Sequence, residues 1–230
     1  MSADDRLTPP LAETPAVGAS HPHESARAHV AGAAPYVDDI PEVKGTLHGA
    51  PVLSSVAHGR ILAIDVANAL AMPGVRDVIL ARDIPGDPML ASFAGDEPIL
   101  ARDTVQFVGQ VLGIVVADTV MQARRAARKV NVRIEALPAV LSIQDALDAQ
   151  SYVLPPVFVA RGDASAALET APHRLSGSLE VGGQEHFYLE GQIAYALPQE
   201  QSQWLVYSST QHPGEVQHWV AHALGLDLHA

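Results

Sequence analysis

The sequence predicts an α+β protein of two units, the second incomplete. Short apolar runs rich in Val, Leu, Ile and Ala alternate with brief helical stretches. Glycine and proline number 17 each among 230 residues, frequent punctuation that favours short elements over a long helical bundle. A connection over Tyr152 to Gly162, stiffened by Pro155 and Pro156, divides the chain.

Taken in order, residues 1–25 hold Pro9, Pro10, Pro15 and Pro22 with no hydrophobic period and are expected to form a flexible arm. The first unit covers residues 26–150. Thr46–Leu53, Ile61–Val66 and Val75–Leu80 read as strands, with a helical turn over Ala67–Met72 stopped by Pro73 and Gly74. A polar, proline-rich stretch then runs through Pro98. Val111–Ala117 is almost wholly aliphatic, as suits a strand covered on both faces. Asp118 is placed to cap the next helix, Val120–Lys129, whose Arg124, Arg125, Arg128 and Lys129 suit its partially negative C-terminal end. Val130–Ile134 returns as a strand. Ser142 with Asp145 resembles a capping box for a short helix through Ala149.

The second unit covers residues 151–230. Ala164–Thr170 reads as a helix and Arg174–Val181, alternating apolar and polar, as a strand. Ile193–Leu197 and Trp204–Tyr207 follow as strands. A last helix opens at Pro213, carries Val216, Trp219, Val220, Ala223 and Leu224 on one stripe, and stops at Gly225. Leu226 and Leu228 look like the entry to another strand.

Composition narrows the function classes. Fourteen basic against 26 acidic residues give a formal charge of −12, which disfavours nucleic acid and anionic membranes as partners. No cysteine is present, so this chain offers no disulfide, thiolate nucleophile or cysteine-ligated iron–sulfur cluster. The N-terminus lacks the order of a secretory signal, and no apolar run reaches the roughly 20 residues that span a bilayer. A soluble cytoplasmic protein is expected.

The least ordinary stretch is Gly182-Gly183-Gln184-Glu185-His186-Phe187-Tyr188-Leu189-Glu190-Gly191. Paired glycines let backbone approach a ligand, and the Gln184 amide both donates and accepts hydrogen bonds. On spacing alone, a strand end with a polar edge is the plainer reading. His186 with Glu190, and Glu215 with His218 or His218 with His222, are possible metal pairs that read more simply as surface residues. His21, His23 and His29 sit on or beside the arm and suggest adventitious binding only. No P-loop, dinucleotide turn or nucleophile elbow occurs.

From about Ser25 to the last residue the sequence resembles the molybdenum hydroxylase (xanthine and aldehyde oxidase) family, most closely its bacterial xanthine dehydrogenase large subunits. The resemblance rests on the order and density of several stretches. They include Ala34–Pro41, Leu47–Ser54, Val56–Ile61, Ala71–Val75 and Phe107–Gln110, then Ala171–Arg174, Gly182–Gly191 and Ser208–Pro213. It implies a hammerhead α/β domain followed by the beginning of a molybdopterin-binding α+β domain. It further implies that Gln184, after Gly183, reaches toward molybdenum and hydrogen-bonds an oxo ligand; Glu185, His186 and Glu190, with no such task to assign, are read as structural. The implied reaction hydroxylates hypoxanthine and xanthine to urate. Electrons would pass to 2Fe-2S clusters, FAD and NAD on a partner small subunit of a hetero-oligomer. The general-base glutamate and a glycine-rich, cofactor-lining segment are expected beyond Ala230, so no catalytic residue is expected within this chain and the chain alone is expected to be inactive. An aldehyde or other N-heterocycle specificity, and a non-catalytic truncated interaction module, are the alternatives.

Overall fold

The computed structural model describes residues 17–90 and 95–229. Its elements in chain order are α1 (Ala26–Val30), β1 (His48–Leu53), β2 (Gly59–Asp65), α2 (Ala67–Leu70), β3 (Val75–Leu80), β4 (Met89–Leu90), β5 (Glu97–Pro98), β6 (Thr104–Val105), β7 (Val111–Ala117), α3 (Val120–Ala127) and β8 (Asn131–Ala136). After these come α4 (Ile143–Asp148), α5 (Ala164–Thr170), β9 (Ala194–Pro198), β10 (Trp204–Ser208) and α6 (Pro213–Leu224).

Two three-stranded antiparallel sheets build the first unit, in the orders β1-β7-β3 and β6-β2-β8. The aliphatic run Val111–Ala117 becomes the central strand of the first sheet, but only one face is fully covered: Ile114 and Val116 are half-buried beside the exposed Pro51, Ile79 and Asp77. Its Leu112, Val115 and Ala117 are wholly buried. Leu112 and Val115 join Val52, Val78, Leu80, Ala101 and Val105 in one cluster, against which Ile61, Ile64, Val132 and Ile134 of the other sheet pack. Small residues let α3 lie close: Ala123 meets Ala50 and Ala117, and Ala126 enters the main cluster.

The helix cap differs from expectation. Thr119, not Asp118, caps α3, its hydroxyl accepting the Gln122 N–H at 3.2 Å. Asp118 instead takes Arg76 in a two-point pair at 2.6 and 3.1 Å. The fork geometry of guanidinium and carboxylate outcompetes a single amide donor, and this bonded carboxylate raises the pKa of Arg76 above its ordinary value. Ser142 caps α4 through Asp145 N–H at 3.0 Å. The stretch before β7 contains β4 and β5, which pair with each other, and β6, which pairs back to β2, all too short to read from alternation.

The second unit departs further. Arg174–Val181 is not a strand: it pairs with nothing among the described residues, and Leu175 and Leu179 are 104% and 88% exposed. Its alternation is that of a strand, but a strand needs a neighbour to satisfy its backbone, and none lies beside it. β9 and β10 form a hairpin, Trp204 opposite Pro198, and α6 packs near it with only Ala221 buried. Gly225 ends α6 with a left-handed φ of 66°, as expected. Leu226–Leu228 does not start a strand; the chain folds back, Leu226 N–H to Ala221 O at 2.9 Å and Gln217 Nε2 to Leu228 O at 2.7 Å. Of the expected arm, residues 1–16 lie outside the described residues, and residues 17–24 are exposed up to α1.

The units touch at defined points. Gly86 and Asp87 donate their N–H groups to the Ala223 and His222 carbonyls at 2.9 and 3.0 Å, closing the C-terminal end of α6 from the first unit. A Cβ at Gly86 would stand 2.0 Å from the His222 carbonyl oxygen, so no side chain fits there. Because Leu112 is wholly buried at the centre of the main cluster, Leu112→Ala is expected to cost about 2–5 kcal/mol, checked by denaturant unfolding.

Candidate cofactor-binding segment

The segment Gly182–Gly191 begins as open chain and ends as fixed structure. Gln184 lies on the open part, exposed, and its side chain makes no hydrogen bond among the described residues. Gly182 and Gly183 border empty space: a Cβ built on either meets nothing within 4 Å. Nothing in the described fold there demands glycine for lack of space.

Downstream the segment becomes tied. Tyr188 Oη bonds Gln192 Nε2, and Glu190 Oε1 accepts the Val37 N–H at 3.1 Å. Ile193 is clamped by Ser209, whose Oγ accepts its N–H at 2.9 Å and whose N–H meets its carbonyl at 3.1 Å. Thr210 Oγ1 then accepts the His212 N–H at 3.0 Å, and His212 Nδ1 caps α6 through the Glu215 N–H at 3.0 Å. Ser209, Thr210, His212 and Pro213 thus form the turn that starts α6. Sequence reasoning missed this capping role of His212 because histidine is an uncommon N-cap.

The possible metal pairs are not drawn into a site. His218 and His222 lie edge to face, ring centres 5.5 Å apart, and His222 Nε2 stands 3.6 Å from Asp87. His29 meets Tyr36 Oη at 3.4 Å, and His23 accepts the Ser25 N–H. Among the described residues no group of three or more His, Cys, Asp or Glu side chains could hold a metal. No helix there is long and apolar enough to cross a membrane.

Residues 31–138 match the family model for the aldehyde oxidase and xanthine dehydrogenase a/b hammerhead domain, and residues 150–230 match the molybdopterin cofactor-binding domain. The chain belongs to the xanthine dehydrogenase and aldehyde oxidase family of molybdenum hydroxylases. Within it, the chain is similar to xanthine dehydrogenase 1 of Arabidopsis thaliana, 43% identical over 92% of this chain and 16% of that protein. It is also similar to aldehyde oxidase 2 of Cavia porcellus, 40% identical over 97% of this chain and 17% of that protein. Among solved structures, the aldehyde oxidoreductase of Desulfovibrio gigas superposes with a TM-score of 0.77 at 30% identity, over 90% of this chain and 25% of that one. The chain thus spans about a sixth of the curated relatives it matches.

Hammerhead domain and the start of a molybdopterin-binding domain are the two units described above, as the sequence implied. Exposed backbone at Gly182 and Gly183 beside an uncommitted amide at Gln184 fits a large polar cofactor. Because a Cβ at Gly183 meets nothing within 4 Å, Gly183→Ala is expected to leave the thermal stability of this 230-residue chain unchanged. The same change is expected to lower molybdenum content in the complete protein, measured by elemental analysis beside a melting curve.

Proposed function

We propose that this chain is part of the large subunit of a bacterial xanthine dehydrogenase, hydroxylating hypoxanthine and xanthine to urate. The observation that carries the reading is the uncommitted Gln184 amide next to open backbone at Gly182 and Gly183. Family membership and a xanthine dehydrogenase relative at 43% identity support it.

When bound, the molybdenum–molybdopterin group supplies the two-electron oxidation and the oxygen transfer. Gln184 would help hold that group by donating its amide N–H to one of its oxygen atoms. An amide is neutral and does not titrate, so it holds that contact at any working pH without competing for the metal. Gly183 keeps side-chain bulk away from the group. The general base and the purine-positioning residues belong to the chain beyond Ala230. 2Fe-2S clusters and FAD on a partner small subunit would supply the onward electron transfer. The complete protein is then a cytoplasmic hetero-oligomer of purine breakdown.

A second reading, aldehyde or another N-heterocycle as substrate, is favoured by the aldehyde oxidase relative at 40% identity. Comparing kcat/KM for xanthine with that for an aromatic aldehyde separates the two, and a clear preference for the aldehyde would displace the first reading.

In the complete protein, Gln184→Ala is expected to lower xanthine turnover by about 10²-fold, the loss typical of one donor facing developing charge, with the melting temperature nearly unchanged. Unchanged turnover would return Gln184 to a structural role. The purified 230-residue chain is expected to hold no stoichiometric molybdenum and to form no urate; detection of both would overturn that expectation.

A further inference from the structure

Two side chains of the second unit hold the stretch 37–43 of the first. Glu190 Oε1 accepts the Val37 N–H at 3.1 Å, and Tyr195 Oη accepts the Val43 N–H at 3.0 Å. The later partner on one side meets the later partner on the other, so the two bonds fix offset and direction together. Between them lies a cleft of about 330 Å³ lined in part by Val37, Glu42, His48, Gln192 and Tyr195. The Val37 N–H has no backbone acceptor among the described residues, which makes the carboxylate its sole partner there.

Placement gives this contact its meaning. Upstream of Tyr188 the chain from Arg174 is exposed and pairs in no sheet, whereas from Ile193 onward it is clamped by Ser209 and the hairpin. Glu190 is the point nearest Gln184 at which this segment is bonded to the other unit. Its half-buried position and its negative charge make the bond a charge-assisted one.

We infer that Glu190 is a positioning residue, fixing the segment that carries Gln184 against the first unit through the Val37 amide. The inference rests on the proposed action of Gln184 at the cofactor; the tether itself is measured without that assumption. The acceptor oxygen matters here, so glutamine at this position preserves the bond and alanine abolishes it. The donor is removable too. Tyr36 is extended, with ψ 171°, so it accepts a following proline, and Val37 opens a 3-10 turn, where proline is tolerated.

The experiment compares Glu190→Ala, Glu190→Gln, Val37→Pro and the Glu190→Ala/Val37→Pro double variant in the complete, molybdenum-loaded protein. Hydrogen–deuterium exchange is followed across residues 182–190 and turnover is measured alongside. Glu190→Ala and Val37→Pro are each expected to speed exchange there and to lower kcat about tenfold with KM little changed, the loss of one charge-assisted bond. Glu190→Gln, which keeps the acceptor oxygen but not the charge, should recover most of both readouts. The double variant should be no worse than either single one, since both changes break the same bond.

Unchanged exchange in the two single variants, or losses that add in the double one, would overturn the inference. Faster exchange with unaltered turnover would also overturn it, provided Gln184→Ala impairs turnover. If Gln184→Ala is itself silent, it is the reading of Gln184 that fails. Should Glu190→Ala not fold, Val37→Pro against Glu190→Gln decides the matter.

Discussion

The burial of one strand organises this molecule. β7 is paired on both edges by β1 and β3, and α3 and the second sheet together cover the face that carries Val115 and Ala117. A backbone so enclosed can satisfy its hydrogen bonds only through its neighbours, and side chains so enclosed must be aliphatic and closely fitted. The alanines of α3, the valines of β1 and β3 and the short connections all follow from that requirement. With the strand in place, the loop Pro85–Pro88 and the stretch 37–43 project toward the second unit at fixed positions.

The second unit lives under the opposite condition. Its hairpin and its last helix are locally well formed, yet of its described residues only Ala221 is buried. Local rules suffice for those pieces: proline and a histidine cap at one end of α6, a left-handed glycine at the other, a five-residue antiparallel ladder between β9 and β10. They do not suffice to cover an apolar surface. What orients the pieces is their contact with the first unit, through Gly86, Asp87, Val37 and Val43. The open segment around Gln184 is thus held in part by a domain that does not contain it.

Legibility in the sequence followed this same division. Strands whose pattern expressed burial on the spot, such as Val111–Ala117 and Val75–Leu80, could be read almost to the residue. Arg174–Val181 could not, because alternation reports a preference for pairing while pairing itself depends on a second strand. Asp118 misled because two acceptors, Asp118 and Thr119, stood side by side at a helix start, and only space reveals that Arg76 claims the first. The roles assigned to Gln184 and Gly183 rest on the family likeness, since an exposed amide beside two glycines carries no local signature of a purpose. Glu190 reads as a structural residue in the sequence, but its partner Val37 lies 153 positions away, beyond anything spacing can indicate.

The open run from Arg174 to Leu189 has one more consequence. A protease needs about a dozen residues of extended, unpaired chain to fit its cleft, and here they are offered with Leu175, Phe187 and Leu189 facing outward. The double-sheet domain offers no such stretch within its paired strands. Limited digestion would thus sever the polypeptide just where its chemistry begins and leave the hammerhead behind as a resistant remnant. The same chain is durable scaffold in one half and, in the other, a strip of backbone kept available for whatever comes to cover it.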